Sequence, residues 1–343
     1  MPGKTHRIGP NLIDTAKQFA DEKSCHDYLE KARWPEGVRC LRCEHDKVSK
    51  FTSKGKTRVN AKGEAKTGPD RFMYQCLKCR YKFQATTGTI FSDTHLPLSK
   101  WMLAVAIMCN AKKGVSAKQL ERDMNVSYKT AWFLSHRIRK AMDDEGGLLS
   151  GIVEVDETYV GGKAKNMHAK ERAEKIGGPG THGKDSVFGM IERDGRVKTY
   201  HIPALNRYYV IDKLKEGISV EAELVCTDES RLYQRMPSNI VRHEIVNHSV
   251  KEYVRGQIHT GTIDGYWGLL KRGLIGSFHR VSIKHLNRYL GEFQFKWNNR
   301  KNEEVFASVI IGLVIKSALR YKVLTGPTVE ELAASSEFSS EPF

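Results

Sequence analysis

Apolar and polar residues alternate along GIVEVDETYV at 151–160, and this period of two predicts a strand with one buried face. SVFGMIER and RVKTYHI flank Asp194-Gly195 as arms of a hairpin, and AELVCTDE and NIVRHEIVNH supply two further strands. Upstream the period lengthens. Leu98, Trp101, Met102, Val105 and Met108 recur at helical spacing, followed less regularly by Trp132, Leu134, Ser135 and Ile138. Helices are also expected over 206–216, 262–272 and 283–320, with a break near Asn298 and Asn299. Two glycine- and lysine-containing stretches carry no such pattern: KVSKFTSKGKTRVNAKGEAKTGPDR reads as a hairpin loop or exposed insertion, and 161–184 as a basic loop that orders on a partner. There is no internal repeat.

These changes of pattern divide the chain into residues 1–95, a helical module over 96–147 closed by DDEGG, a strand-rich domain over 148–325, and a Ser/Glu-rich tail over 326–343, expected to be disordered at its end. Charge sharpens the division. The net charge is +16, and residues 31–140 by themselves carry +16, so the excess belongs to the N-terminal half and points to a polyanionic partner. The longest apolar runs, WMLAVAIMC and VIIGLVI, fall short of the ~20 residues of a membrane span, and MPGKTHRIGP lacks the apolar core of a signal peptide. A cytoplasmic protein with reduced thiols is therefore expected.

Four of the seven cysteines form two CxxC pairs, Cys40/Cys43 in CLRC and Cys76/Cys79 in CLKC. Each knuckle sets two thiolates on one turn, and two knuckles close a tetrahedral site, so a zinc ribbon holding one structural Zn²⁺ is expected. His45 is placed outside that set, and Cys109 and Cys226, in apolar runs, are read as small core residues. GVSAKQLERDMNVSYKTAWFLSHRIRKAM then has the outline of a helix-turn-helix, with Ser116 and Ser127 as N-caps. That outline puts Tyr128, Lys129 and Thr130 at a DNA groove and His136, Arg137 and Arg139 near phosphates. An ordinary helical pair with a solvated basic face fits the same pattern.

Asp156 interrupts an apolar alternation, Asp228 ends ELVCTD, and Asp264 opens a helix on which Lys271 follows two turns later. Carboxylates gathered at strand ends are unfavourable without a cation, and such a group suits two Mg²⁺ or Mn²⁺ ions that break phosphodiester bonds, with Lys271 on the same side to meet a phosphate. Glu154 shares the strand face of Asp156 and Glu157 faces away; each is a secondary candidate for a further ligand. HEIVNH has its histidines five apart, which disfavours a zinc-peptidase helix. His259 reads equally as a DNA contact or a structural residue, Trp267 and Trp297 read as core, and no glycine run forms a nucleotide-binding fingerprint.

CLRC, YQCLKC, EVDETYVGGK, CTDES and VNHSVKEYVRGQIHTGTIDGYWGLLKRGLIGSFHRVSIKHLNRYLGEFQFKWNNR together resemble the ISXO-type family of bacterial insertion-sequence transposases, over nearly the whole chain. The resemblance implies a zinc ribbon and helix-turn-helix module ahead of an RNase H-like DDE domain, a mixed sheet flanked by helices. It further implies Asp156, Asp228 and Asp264 as ligands of two Mg²⁺ (or Mn²⁺) and Lys271 as their basic partner; Lys163, in the basic loop, and Arg272, beside Lys271, are further candidate DNA contacts. The activity implied is hydrolytic cutting at terminal inverted repeats followed by joining of the 3′-hydroxyl to target DNA. It needs no nucleotide cofactor or membrane, and a dimer or higher oligomer on DNA near the nucleoid would bring two ends together. Asp264 stands where the family usually carries Glu, and Gly261 where it often has Asn, which retracts the third carboxylate by about a bond length. Two rivals are a DNA-binding regulator with a decayed catalytic domain and a cellular RNase H-like nuclease.

Overall fold

The computed structural model describes residues 10–327 apart from 56, 60–62, 145, 163–167, 170–171, 173–182, 203–204, 235, 239, 241 and 251. Lys163 and most of the 161–184 loop lie outside the described residues, as does nearly all of the tail. The chain divides into two units, one comprising 1–110, 117–141 and 303–343, the other 111–116 and 142–302.

In the first unit, α1 (Leu12–Gln18) and α2 (Glu22–Arg33) precede the ribbon, whose strands are β1 (Val48–Ser53), β2 (Thr57–Val59), β3 (Ala65–Thr67), β4 (Arg71–Cys76) and β5 (Lys82–Phe83). β1, β4 and β5 form an antiparallel sheet, and β2 and β3 pair as a separate hairpin inside the polar insertion. α3 (Leu98–Asn110), α4 (Ala117–Met124) and α5 (Tyr128–Ala141) follow. Asn125 turns the chain between α4 and α5 in the left-handed region, at φ 46°, a conformation Asn tolerates better than most residues. Ser127 then caps α5, its hydroxyl accepting from Thr130 N at 3.2 Å.

The sequence places 283–320 in the 148–325 domain, but α9 (Val305–Ile315) packs in the first unit, against α2, α3 and α5. VFASVIIGLVI is apolar nearly all round, so it needs neighbours on several sides, and those three helices supply them. Gly312 permits the closest approach, since a Cβ there would meet the Ala141 carbonyl oxygen at 2.4 Å. A short α10 (Tyr321–Thr325) ends the described chain.

The second unit is built on a five-stranded mixed sheet of β6 (Leu149–Val160), β7 (Asp185–Glu192), β8 (Val197–Ile202), β9 (Ile218–Asp228) and β10 (His243–Val246), in the order β10-β9-β6-β7-β8. β6, β7 and β8 run antiparallel in sequence, and β9 and β10 continue parallel to β6, the arrangement of an RNase H-like domain. Alternation along β6 sends Val153 and Val155 to one face, with Val210 and Leu214 of α6 (Arg207–Gly217). The other face carries Val187, Ile191 and Val197 against α7 (Gly261–Gly273) and α8 (Leu286–Asn298). Edge strand β8 is closed by side-chain amides. Asn298, Gln294 and Asn287 of α8 accept from the backbone N–H groups of Val197, Thr199 and His201 at 2.8, 2.9 and 3.1 Å.

Candidate active site and zinc-binding knuckles

Both ribbon knuckles repeat one local geometry. Glu44 N and Arg80 N donate to the carbonyls of Cys40 and Cys76, and Glu44 and Arg80 sit at φ 57° and 59°. The turns bring the Cys40 and Cys79 sulfurs to 3.5 Å and those of Cys43 and Cys76 to 3.6 Å, with all four ligand atoms within 4.8 Å of one another. Tetrahedral zinc at Zn–S of about 2.3 Å requires sulfurs about 3.8 Å apart, so the set fits the ion. Amides of Arg42 and Cys79 approach the Cys40 and Cys76 sulfurs at 3.4 Å each, and His45 stays outside the set.

On α5 the sequence-derived contacts separate. Tyr128 and Lys129 are exposed and Thr130 is half-buried. Arg137 and Arg139 are only 4% and 2% exposed, which removes both from any phosphate. Arg137 donates to the carbonyls of Ile90 and, at 2.6 Å, Ser92, and its guanidinium lies 4.8 Å from the Trp101 ring centroid. Arg139 donates to Ser135 Oγ at 3.1 Å, and His136 is fully buried. These residues hold the module together, because buried carbonyls and aromatic faces satisfy a guanidinium that water no longer reaches.

The acidic group draws on the middle of β6, where Asp156 sits, and the last residue of β9, Asp228. Parallel pairing matches Val153 with Val225 and Glu154 with Cys226, and Asp156 and Asp228 each follow two residues beyond the last matched pair. α7 crosses the same face of β6 and brings Asp264 and, exposed two turns on, Lys271 and Arg272. Burial pushes the Asp156 carboxyl up to about 7; Glu157 adds to the rise, the Trp267 N–H opposes it, and Asp228 and Asp264 add further repulsion. Asp228 is likewise raised by burial, against the Ser230 amide that donates to its Oδ1 at 3.0 Å. Asp264 is raised by burial too, with Glu154 repelling it and His248 and Lys271 drawing it down. Asp156 lies within electrostatic reach of both Asp228 and Asp264, and three carboxylates each held above the ordinary range, with Asp264 the most exposed, are of a chemistry that a hard divalent cation suits. Among the described residues only the four cysteines bring three or more ligand atoms within 4.8 Å; the three aspartates are more open. Beside Asp264 lies a cavity of about 450 Å³ lined in part by His248, Tyr253, His259 and Thr260.

Neighbours that the sequence left ambiguous now have positions. Glu157 faces away, accepting from Tyr233 Oη at 2.5 Å. Glu154 is fully buried and engaged by α7, so it is no metal ligand. Trp267 is core, 4% exposed, and its Nε1 donates to Asp156 Oδ2 at 2.9 Å. Gly189, the register partner of Asp156 on β7, leaves room for that indole, since a Cβ there would lie 2.5 Å from the Trp267 ring. A signal for Glu154 existed: Thr260 makes no side-chain cap bond, so the free amides opening α7 required an acceptor from elsewhere. No helix among the described residues is long and apolar enough to cross a membrane.

Comparison with known proteins bears on the two domains that carry these residues. Residues 148–298 match the family described as ISXO2-like transposase domain, and residues 20–82 match the transposase zinc-ribbon domain. A Halobacterium salinarum protein described as an uncharacterized protein in transposable element ISH50 is 31% identical over 294 residues, covering 82% of this chain and 92% of that protein. The chain belongs to the insertion-sequence transposases that join a transposase zinc ribbon to an ISXO2-like DDE domain of RNase H-like fold.

Proposed function

We propose that the protein binds the terminal inverted repeats of its insertion sequence, cuts the ends by phosphodiester hydrolysis and joins the freed 3′-hydroxyl to target DNA, both steps at one site. The observation that carries this reading is the convergence of Asp156, Asp228 and Asp264 from β6, β9 and α7, with Asp156 sensing both of the others. Mg²⁺ or Mn²⁺, when bound to these carboxylates, supplies charge stabilisation of the attacking and leaving oxygens. Asp156 and Asp228, fixed by strand backbone, define the rigid side of the site, and Asp264 completes it from a helix. Lys271, exposed on α7, meets a phosphate as a compact point charge, and Arg272 extends that contact along the backbone. Tyr128, Lys129 and Thr130 reach bases or phosphates from the start of α5, and the ribbon, rich in Lys and Arg, adds sequence-independent attraction. Because two ends must be joined, the acting form is at least a dimer on DNA, and no nucleotide is consumed.

The test is incubation of labelled end-containing DNA with the protein and Mg²⁺ or Mn²⁺, beside Asp156→Asn. Cleavage by the parent protein that the variant lacks supports the reading. DNA binding with no cleavage under either metal would instead make the protein a DNA-binding regulator, and cleavage indifferent to the repeat sequence would make it a general nuclease.

A further inference from the structure

α7 carries the third acid, and hydrogen bonds at two points hold it against β6. At its N-terminus, Glu154 Oε2 accepts from the amides of Thr262 at 2.7 Å and Ile263 at 3.0 Å, while Oε1 accepts from Thr262 Oγ1 at 2.9 Å. Further along, Trp267 Nε1 donates to Asp156 Oδ2 at 2.9 Å. Asp264 lies between these two attachments. Glu154 and Asp156 stand two residues apart on one strand face, so the distance from the first acid to the third is set by one strand and the helix bolted to it.

Glu154 is 0% exposed, and its lone pairs are spoken for: Arg193 Nε donates to Oε1 at 2.7 Å, and His259 Nδ1 lies 3.2 Å away. A buried carboxylate persists only when paired and fully hydrogen-bonded, and a helix N-terminus is a favourable place for it. Arg193 reaches on to the carbonyls of Gln257 at 2.6 Å and His259 at 3.0 Å, so the segment entering α7 is tied to the same point. A hydrophobic helix–sheet contact would hold α7 without this network, as Ile263, Tyr266, Trp267 and Leu270 already do. What the network adds is a fixed axial position, because apolar packing is non-directional and hydrogen bonds to two successive amides are not.

We propose that Glu154 is a positioning residue for the DNA chemistry: it fixes α7 along its axis so that Asp264 reaches the site formed by Asp156 and Asp228. This rests on the DDE reading of the three aspartates. The short side chain of Asp264 makes the dependence acute, since a reach one bond shorter leaves less slack for a helix displaced by about 1 Å.

The experiment compares full-length, zinc-loaded wild type with Glu154→Gln, Glu154→Leu and Thr262→Val. It measures Mn²⁺ affinity by calorimetry, amide exchange at Thr262 and Ile263, zinc content, and kcat and KM on end-containing DNA. Glu154→Gln keeps one oxygen for the amides, so it should fall between wild type and Glu154→Leu. Expected are faster exchange at Thr262 and Ile263, Mn²⁺ affinity and kcat lowered by roughly 10- to 100-fold, and unchanged zinc content and KM for DNA. Should Glu154→Leu fail to fold, Thr262→Val, which loses only the Oγ1 bond, provides the graded comparison. The proposal is overturned if Glu154→Gln keeps Mn²⁺ affinity and kcat within about twofold of wild type while the two amides lose protection. It is equally overturned if zinc content and kcat fall while KM rises, as a general loss of structure would produce. Should wild type cut no DNA, the transposition reading fails, and Mn²⁺ affinity with amide exchange still decides the role of Glu154.

Discussion

Replacing Asp156 with Asn removes a charge that the fold holds at a cost, so without divalent cations the inactive variant should be the more stable protein. Burial is the main cause of the raised carboxyl, with Glu157 next, and the Trp267 bond offsets only part of it. Relative to an unfolded value near 3.9, a folded value of about 7 is a rise of about 3 units, worth at most about 4 kcal/mol at about 1.36 kcal/mol per unit. Solvent relaxation around a side chain that is not fully buried reduces this to about 1–3 kcal/mol. A folded value above the unfolded one means that the native state binds the proton more tightly. The penalty is therefore absent below about pH 4, grows as the pH rises, and is complete above about pH 7. The assay is urea unfolding in buffer free of Mg²⁺ and chelator, so that ribbon zinc is retained, followed by amide exchange on β6 and β9. Asp156→Asn should exceed wild type at about pH 8 and converge with it toward about pH 4. Saturating Mg²⁺ should raise wild type and leave the variant unmoved. A variant less stable than wild type at the higher pH, or an advantage independent of pH, would refute the reasoning.

Four other outcomes follow from the geometry. Cys40→Ser should lose the ribbon zinc and unfold the ribbon, read by metal analysis and by far-ultraviolet dichroism, because zinc ligation is folding energy for so small a module. Arg137→Ala should cost about 2–4 kcal/mol of stability, leaving the Ile90 and Ser92 carbonyls without their donor, while folded protein keeps its DNA affinity. Lys129→Ala should do the reverse, weakening DNA binding and lowering the salt slope by about one with no change in unfolding midpoint. Gly189→Ala should displace the Trp267 indole, so DNA cleavage should fall much further than DNA binding.

Much of this site could be read from local pattern. Asp156 and Asp228 stand out because each interrupts an apolar strand, and the strands that carry them, β6 and β9, are parallel neighbours in the sheet. The CxxC pairs carry their own turn geometry, so the site stays legible although 32 residues separate Cys43 from Cys76. Arg137 and Arg139 misled because a basic residue near the end of a helix ordinarily faces water. Their partners include the Ile90 and Ser92 carbonyls, more than 40 residues upstream, and nothing in the helix itself announces them. α9 misled for a related reason: continuity along the chain suggested one domain, whereas an all-round apolar helix goes wherever several apolar faces wait. Glu154 reads in sequence only as a charge beside a candidate ligand, because the α7 amides it accepts from lie more than 100 residues downstream.

The central claim is that three aspartates on two strands and a helix form one phosphodiester-transferring site. Its most direct test is joining of pre-cut 3′-hydroxyl ends to target DNA in Mg²⁺ or Mn²⁺, with wild type beside Asp156→Asn, Asp228→Asn and Asp264→Asn at equal DNA occupancy. Joined product is expected from wild type alone, each variant falling by at least about a hundredfold. Wild type that joins nothing, or an Asp264→Asn variant that joins at the wild-type rate, would contradict it.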